Sequence, residues 1–373
     1  MARSSLYISE RLRSLSGELS GALGDLGTFL PYVIAITGAG VLAPTPVFLG
    51  FAAGYALVAL VYKAPIAVQP MKAVGALVIA GSLTAPEIAW TGATIGAFLL
   101  MFSASARLDK VARAIPQSVV TGLQVGLGLM LGMVAVGLMA AQWVLAIPAL
   151  AVLALSLIWG RGPWAVIVVG ASALLAPASD PVLVIAAPYA DVSIRAVLSG
   201  IAAQLPLTLL NAVVVAAAVT RSLYPSRASL VSQRRLAATS GALNLLLVPF
   251  GALPMCHGAG GIAAHHRFGA RGIGAPLTMA ALCVAAALTG QDVMRWLTMI
   301  PMPVVGALLA YAAADLVLSR RMFDARADCR PVIGVAAIMT VALGAGAGLV
   351  AGLAAEAVRV QLRRRRQIID TQR

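Results

Sequence analysis

The heptapeptide VQPMKAV, residues 68–74, lies within the apolar run APIAVQPMKAVGALVIAG. Pro70 cannot donate a backbone hydrogen bond and breaks a helix, and Lys72 carries a charge that is costly to remove from water. Neither residue suits an ordinary membrane-spanning helix. The stretch therefore predicts an interrupted span, in which an extended segment and a short helix together cross the bilayer.

The composition of the whole chain is that of a polytopic membrane protein. Of its 373 residues, 61% are hydrophobic and 11% are charged, whereas soluble domains carry about 25% charged residues. The net charge of +14 comes from short arginine and lysine clusters between apolar segments, which favours membrane lipid as the partner and disfavours nucleic acid. The scattered cysteines predict neither disulfides nor a metal site: Cys256, Cys283 and Cys329.

Apolar runs predict an all-α polytopic membrane protein with about 14 transmembrane segments in two inverted seven-span repeats. Two spans, at about 65–82 and 249–264, are predicted to be broken into a strand and a half-helix. The last two spans could form one hairpin or one long span. The other predicted spans are 18–38, 45–62, 86–106, 115–137, 141–159, 163–176, 194–220, 233–249, 275–290, 296–318, 331–343 and 345–360.

This division gives a leader at 1–17, repeats at 18–177 and 191–360, and a basic tail at 361–373. Arginine and lysine collect in alternate loops, and the positive-inside rule then places both termini on the cytoplasmic side. We expect an integral protein of the bacterial inner (cytoplasmic) membrane.

The opening stretch has a counterpart in the second half of the chain. PIAVQPMKAVGALVIA begins at Pro65 and PFGALPMCHGAGGIAA begins at Pro249, an offset of 184 residues. In each, a Pro-Met pair follows the first proline at the same distance. Paired interruptions at equivalent places in two inverted halves mark the midplane binding site of many transporters.

Each broken span is predicted to cross half the membrane as a strand and half as a helix. The strand covers about 16–20 Å and the helix about 15 Å, which together match a hydrocarbon core of about 30 Å. The half-helices would begin near the midplane, at Met71-Lys72 and at Met255-Cys256-His257. Their N-terminal N–H groups, together with Lys72, favour an anionic substrate. The extended segments must pair with each other or with side chains, because lipid offers no hydrogen bonds.

Three segments carry a family resemblance: GELSGALGDLGTFLPYVIA at 17–35, VQPMKAVGALVIAG at 68–81 and VPFGALPMCHGAGGIAAHHRFGAR at 248–271. They resemble the signature segments of the molybdate transporter family related to the SulP sulfate permeases. The resemblance implies a core domain of spans 1–4 and 8–11, a gate domain of spans 5–7 and 12–14, and a tetrahedral oxyanion as substrate. The STAS domain of sulfate permeases has no counterpart after the arginines at 363–366, in agreement with the molybdate branch.

Several polar residues near the two interruptions are candidates for the site. Lys72 would contact the anion or form an ion pair with Asp25 or Glu18, and either acid could carry a coupling proton. The imidazole of His257 would contribute directly, or the backbone amides around it would hold the anion alone. The predicted substrate-binding residues are Gln69, Met71, Lys72, Cys256, His257, Gly258, Ala259, Thr28 and Gln204.

These observations predict a secondary active transporter that imports molybdate, or the related sulfate or tungstate, by alternating access. The anion would bind between the two half-helix N-termini. No ATP-binding motif is present in the sequence, so the energy would come from an ion gradient. A proton is the ion that we expect. A nucleobase or bicarbonate carrier of the same fold and an anion channel are the alternatives, and a homodimer is left open. No enzyme activity, cofactor or metal is predicted, because no nucleophile and base pair or metal cluster recurs in the spans.

Overall fold

The structure is a computed structural model that describes residues 15–24, 26–105, 116–159, 167–168, 170–172, 191–289 and 299–371. Its first half contains seven helices and one strand within these ranges. They are α1 (Leu15–Gly24), α2 (Leu26–Gly38), α3 (Pro44–Tyr62), β1 (Gln69–Pro70), α4 (Lys72–Ile79), α5 (Ala85–Ala104), α6 (Gln117–Ala140) and α7 (Trp143–Trp159).

The second half begins with α8 (Ile194–Leu207), which continues through a π-helical segment (Thr208–Val215) into α9 (Ala216–Leu223). Short 3-10 turns and a single helical turn at Arg320–Phe323 connect some of the remaining elements. These elements are α10 (Gln233–Leu247), β2 (Met255–Cys256), α11 (Ala259–Arg267), α12 (Gly274–Leu288), α13 (Met302–Val317), α14 (Arg330–Leu343) and α15 (Ala345–Thr371).

Both interrupted spans are present, which confirms the predicted combination of strand and half-helix. β1 and β2 form an antiparallel pair in the register Gln69↔Cys256 and Pro70↔Met255. The start of the second half-helix is a correction, since we predicted it at Met255-Cys256-His257 and α11 begins at Ala259. Cys256 lies in the ladder opposite Gln69, so the extended segment continues further than in the first half.

Among the described residues, six helices are long and apolar enough to cross a membrane, and the bent pair of α1 and α2 would make a seventh. The two helices of that pair meet at 52°, within the predicted first span. α14 and α15 are separate helices joined at Gly344, whose φ is +92°, and they pack as a hairpin. α15 also continues through the predicted tail to Thr371. The count of fourteen spans stays a prediction, and most of the span at 163–176 lies outside the described residues.

The packing of the helices has the symmetry expected of two inverted repeats. α3 packs on α12 and α10 on α5, which correspond to predicted span 2 against 11 and span 9 against 4. α6 packs on α13 and β1 pairs with β2, which correspond to span 5 against 12 and span 3 against 10. Exchanging each span with its counterpart seven positions away reproduces the same set of contacts. The assignment of spans to a core and a gate domain stays a prediction.

The starts of α5 and α8 are tied together by one carboxylate. Glu87 accepts hydrogen bonds from the backbone N–H of Thr84 at 2.8 Å and from the backbone N–H of Ser193 at 3.0 Å. The first contact belongs to a capping box at the start of α5, and the second reaches the residue that precedes α8. A single capping residue thus links the two halves of the chain.

Close packing of α5 on α10 depends on glycine. A Cβ at Gly96 would lie 2.6 Å from the backbone nitrogen of Leu245 and 2.8 Å from the carbonyl oxygen of Gly241. A Cβ at Gly241 would in turn lie 2.9 Å from the carbonyl oxygen of Gly96. The two backbones meet at this point, as is common where membrane helices approach through small residues.

Gly96→Ala is expected to lower the melting temperature of the protein in detergent, because the methyl group must separate α5 from α10 at a cost of about 1–3 kcal/mol. Gly137→Ala on α6 is the matched control, since a Cβ there meets no atom within 4 Å and alanine is the better helix former. Thermal unfolding of both variants tests the packing. An unchanged melting temperature for Gly96→Ala would contradict it.

Candidate functional site

A cavity of about 360 Å³ lies where the two half-helices begin, and its volume falls in the range of about 300–1,000 Å³ usual for small-molecule sites. Its wall is formed by both strands, the starts of α4 and α11, one position on α6, the junction of α8 with the π segment, and the end of α13. Among its lining residues are five of the predicted substrate-binding residues: Gln69, Lys72, Cys256, Gly258 and Gln204.

The N-terminus of α4 is capped by a side chain from α8. Gln204 Oε1 accepts hydrogen bonds from the backbone N–H groups of Ala73 at 2.9 Å and Val74 at 3.3 Å. Its Nε2 donates to Oγ1 of Thr208 at 2.8 Å. Gln204 therefore satisfies two N–H groups that the start of a helix leaves unpaired. It lines the cavity as predicted, but its oxygen atom is engaged by the helix.

Asn244 on α10 takes the place of a neighbouring strand beside β2. Its Nδ2 donates to the carbonyl oxygen of Met255 at 2.6 Å, and its Oδ1 accepts from the N–H of Met255 at 2.9 Å. Asn244 is fully buried. Because an extended backbone within the membrane must have its polar groups paired, this carboxamide supports the two-strand ladder.

The N-terminus of α11 reaches the cavity through two glycines. A Cβ at Gly260 would meet no atom within 4 Å, whereas a Cβ at Gly258 would overlap Oε1 of Gln69. The carboxamide of Gln69 thus packs directly on the backbone at the helix start. The first turn of α11 is accessible at Gly260, and its N–H groups and helix dipole favour negative charge.

Lys72 is the first residue of α4, and its ammonium group contacts α13. Its Nζ lies 2.5 Å from Oδ2 of Asp315, and the two side chains are 24% and 50% exposed, respectively. Both residues line the cavity. The ion pair is therefore open to the cavity and accessible to a ligand.

Of the two acids predicted to pair with Lys72, Glu18 is a correction, whereas the pairing with Asp25 stays a prediction. Glu18 accepts hydrogen bonds from the backbone N–H groups of Arg271, Gly272 and Ala275 at 2.7–2.8 Å. It binds there because α1 lies against the loop before α12, whose helix start favours a carboxylate. Asp25 lies outside the described residues.

A second cation lines the cavity beyond the end of α13. Arg321 donates a hydrogen bond to Oδ1 of Asn211 at 3.3 Å. Asn211 belongs to the π segment, an irregularity that frequently occurs at functional sites. Lys72, Arg321 and Asp315 together give the charged side chains of the lining a net charge of +1.

Two further polar side chains line the cavity with hydrogen-bonding capacity to spare. Gln124 Oε1 and Ser319 Oγ are buried and have no hydrogen-bond partner among the described residues. A carboxamide carries an NH₂ group beside its oxygen, and a hydroxyl can donate. Both side chains can therefore donate to an anion in the cavity.

His257 lies behind the strands, and it is not among the residues that line the cavity. Its Nδ1 is 3.3 Å from the carbonyl oxygen of Ala67, and its Nε2 is 2.7 Å from Oγ1 of Thr239. A carbonyl oxygen can only accept, so Nδ1 carries the proton and Nε2 accepts from the hydroxyl of Thr239. That hydroxyl is also 2.7 Å from the hydroxyl of Tyr62. The imidazole thus supports the extended segment before β1.

The remaining predicted residues contribute less to the cavity wall. Met71 and Ala259 are buried at the starts of the half-helices and are not among its lining residues. The side chain of Thr28 lies outside the described part of the structure. Within that part, no group of three or more His, Cys, Asp or Glu residues could hold a metal ion.

Sequence reasoning missed Asp315 and Arg321. Asp315 is the one acidic residue in the helix MPVVGALLAYAAADLV, and an ionisable residue inside a span is a functional candidate by default. The argument that selected Asp25 and Glu18 applies equally to it. Arg321 belongs to the sequence SRR, which is typical of a cytoplasmic loop, and only the fold brings it to the cavity.

Residues 17–131 and 196–316 match the family described as "Molybdate transporter of MFS superfamily". The chain belongs to this molybdate transporter family. Molybdate transporter 2 of Arabidopsis thaliana is 28% identical over 92% of this chain and 89% of its own length. Molybdate transporter 1 of the same plant is 30% identical over 91% of this chain and 87% of its own length. The resemblance found in the three sequence segments is confirmed.

The fold of this family member resembles that of known anion transporters. The transmembrane domain of the cyanobacterial bicarbonate transporter BicA matches with a TM-score of 0.63 and 16% identity, over 91% of this chain and 97% of its own. The murine Solute Carrier 26 family member A9 anion transporter in the inward-facing state matches with a TM-score of 0.66 and 14% identity, over 94% of this chain and 68% of its own. At these identities the similarity concerns the fold.

Gln204→Leu is expected to lower the melting temperature, because two buried N–H groups of α4 lose their acceptor at a cost of about 1–3 kcal/mol each. Gln204→Glu is the matched control, since a carboxylate keeps the acceptor and suits the start of a helix. Thermal unfolding in detergent distinguishes the two variants. Equal melting temperatures for Gln204→Leu and the parent protein would show that the cap does not stabilise the half-helix.

Proposed function

We propose that this protein imports molybdate by secondary active transport, and that the anion binds in the cavity between the starts of α4 and α11. The observation that carries the proposal is a cavity of net positive charge at the start of two half-helices, in a chain of the molybdate transporter family. Two relatives named molybdate transporters match along most of this chain.

The residues around the cavity suit a tetrahedral dianion. Lys72 and Arg321 supply positive charge, and the backbone near Gly258 and Gly260 supplies N–H groups from the start of α11. Ser319 adds a hydroxyl and Gln124 adds a carboxamide, and the oxygen atoms of both have no partner among the described residues. Such charge-assisted hydrogen bonds contribute about 1.5–3 kcal/mol each. Sulfate and tungstate share the charge and shape of molybdate, so they are expected to compete.

Alternating access would move the predicted core spans against the predicted gate spans around this site. The lining continues from the strands to Arg321, which lies beyond the end of α13. The distribution of arginine and lysine in the loops predicts a cytoplasmic position for that end, as it does for both termini. We therefore assign the cavity to an inward-facing state, with a proton gradient as the source of energy.

Uptake of radioactive molybdate into proteoliposomes tests the proposal, with and without an inward-directed proton gradient. Saturable uptake that the gradient increases and that tungstate and sulfate reduce is the expected result. Uptake of uracil or bicarbonate without molybdate, sulfate or tungstate would instead identify a carrier for another substrate. Steady current without saturation in a planar bilayer would identify a channel.

Lys72→Gln is expected to weaken molybdate binding about 10- to 100-fold, because the anion loses a charge-assisted hydrogen bond of about 1.5–3 kcal/mol. His257→Ala should leave the affinity within about threefold and lower the melting temperature, since His257 supports the strands from outside the cavity. Equilibrium binding and thermal unfolding check both variants. Normal affinity in Lys72→Gln, with loss of affinity in His257→Ala, would reverse these assignments.

A further inference from the structure

Asp315 places a negative charge where a site for anions should not have one. It is the acidic residue among those that line the cavity, and its carboxylate lies 2.5 Å from the ammonium of Lys72. The other described acids near the first half are engaged elsewhere, Glu18 by the loop before α12 and Glu87 by the starts of α5 and α8. The carboxylate of Asp315 occupies the position beside Lys72 that an oxyanion oxygen would take.

A molybdate dianion and an ionised Asp315 cannot both bind Lys72 well. Two like unit charges about 5 Å apart, at an effective dielectric constant near 20, repel each other. This repulsion lowers the binding constant of the anion by a factor on the order of 100 for each pair of unit charges. Protonation of Asp315 removes this repulsion and also ends its ion pair with Lys72. Proton binding and anion binding at this site therefore favour each other, and this linkage is reciprocal.

Among the described residues that line the cavity, Asp315 carries the one carboxyl group. α13 packs against α2, α6 and α7. α2 contributes Tyr32, whose hydroxyl is buried within electrostatic range of both members of the ion pair, and α6 and α7 carry no ionisable side chain. The other ionisable groups in the cavity wall are Lys72 on α4, Cys256 on β2 and Arg321 after α13.

We propose that Asp315 is the proton-accepting residue that couples anion transport to the proton gradient, by exchanging its place beside Lys72 with the substrate. The proposal rests on the proposed transport of an oxyanion. On the outward-facing side, a proton adds to the carboxylate, and the anion takes over the ammonium of Lys72. On the cytoplasmic side, the anion and the proton leave, and the carboxylate pairs with Lys72 again. One anion thus enters with at least one proton.

The location of the pair gives the exchange a mechanical consequence. Lys72 begins the half-helix of predicted span 3, and Asp315 lies on predicted span 12, so the ion pair joins the predicted core to the predicted gate. The ion pair therefore connects these two parts of the protein. Replacing the carboxylate by the anion removes that contact, so binding of the proton and the anion changes the interaction between the two parts.

The experiment compares the parent protein with Asp315→Asn, and Asp328→Asn is the matched control. Asp328 also forms an ion pair, with Arg359 at 2.5 Å, but it is not among the residues that line the cavity. Molybdate affinity is measured between pH 5.5 and 8.5 in detergent. Proton uptake on molybdate binding is recorded with a pH-sensitive dye in weak buffer.

The parent protein and Asp328→Asn are expected to lose up to tenfold in affinity per unit rise in pH above the pKa of Asp315, and to take up protons when molybdate binds. Asp315→Asn should bind with the low-pH affinity of the parent at every pH, without proton uptake. In proteoliposomes it should exchange molybdate across the membrane but fail to accumulate it in a proton gradient. Asp315→Ser provides the same comparison where Asp315→Asn does not fold.

The contrary results are distinct from one another. Proton uptake and pH dependence that persist in Asp315→Asn would assign the coupling to another acid, such as Asp25. Loss of binding at every pH in a variant with normal melting temperature would make Asp315 a positioning residue for Lys72. Parent protein that binds no molybdate, sulfate or tungstate at any pH would overturn the proposed function itself.

Discussion

The structure depends on one constraint, which is that an extended backbone inside a bilayer must have its N–H and C=O groups paired. β1 and β2 meet this requirement partly by pairing with each other. Side chains pair further backbone groups of the extended segments. Asn244 bonds to both backbone groups of Met255, and the ring of His257 lies beside the carbonyl oxygen of Ala67. These polar residues fix the strands, and the strands in turn fix where the two half-helices begin.

The same constraint decides which groups are left for a ligand. Gln204 already satisfies two N–H groups at the start of α4, so the accessible features of that half-helix are its dipole and the ammonium of Lys72. The start of α11 is covered on one side by Gln69 and reaches the cavity at Gly260. The two halves are therefore related in fold but not in the groups that they offer to an anion. This asymmetry gives the site one side rich in side-chain charge and one side formed by backbone.

The duplicated Pro-Met interruptions were sufficient to predict the two strands and half-helices, because proline restricts the backbone locally. Pairing of the strands with each other was one of two alternatives, the other being pairing with side chains. The second half-helix begins at Ala259, three residues after Cys256, which is the counterpart of Lys72 at the offset of 184 residues. This difference was not predictable, since it arises from the register that places Cys256 opposite Gln69. Gln204 was predicted as a substrate-binding residue, and it does line the cavity. Its role as a cap could not be predicted, because it depends on the tertiary position of α4. The contact of Lys72 with Asp315 depends on the packing of α13, which no local pattern encodes, although the charge of Asp315 in an apolar helix was a usable signal.

The central claim is that an oxyanion binds between Lys72 and the start of α11. Anomalous X-ray diffraction at the molybdenum absorption edge, from crystals grown with molybdate, tests it most directly because the signal comes from the anion alone. We predict one strong anomalous peak in the cavity, between the ammonium of Lys72 and the backbone of Gly260. A peak outside this cavity, or an empty cavity in crystals of protein that binds molybdate in solution, would contradict the account.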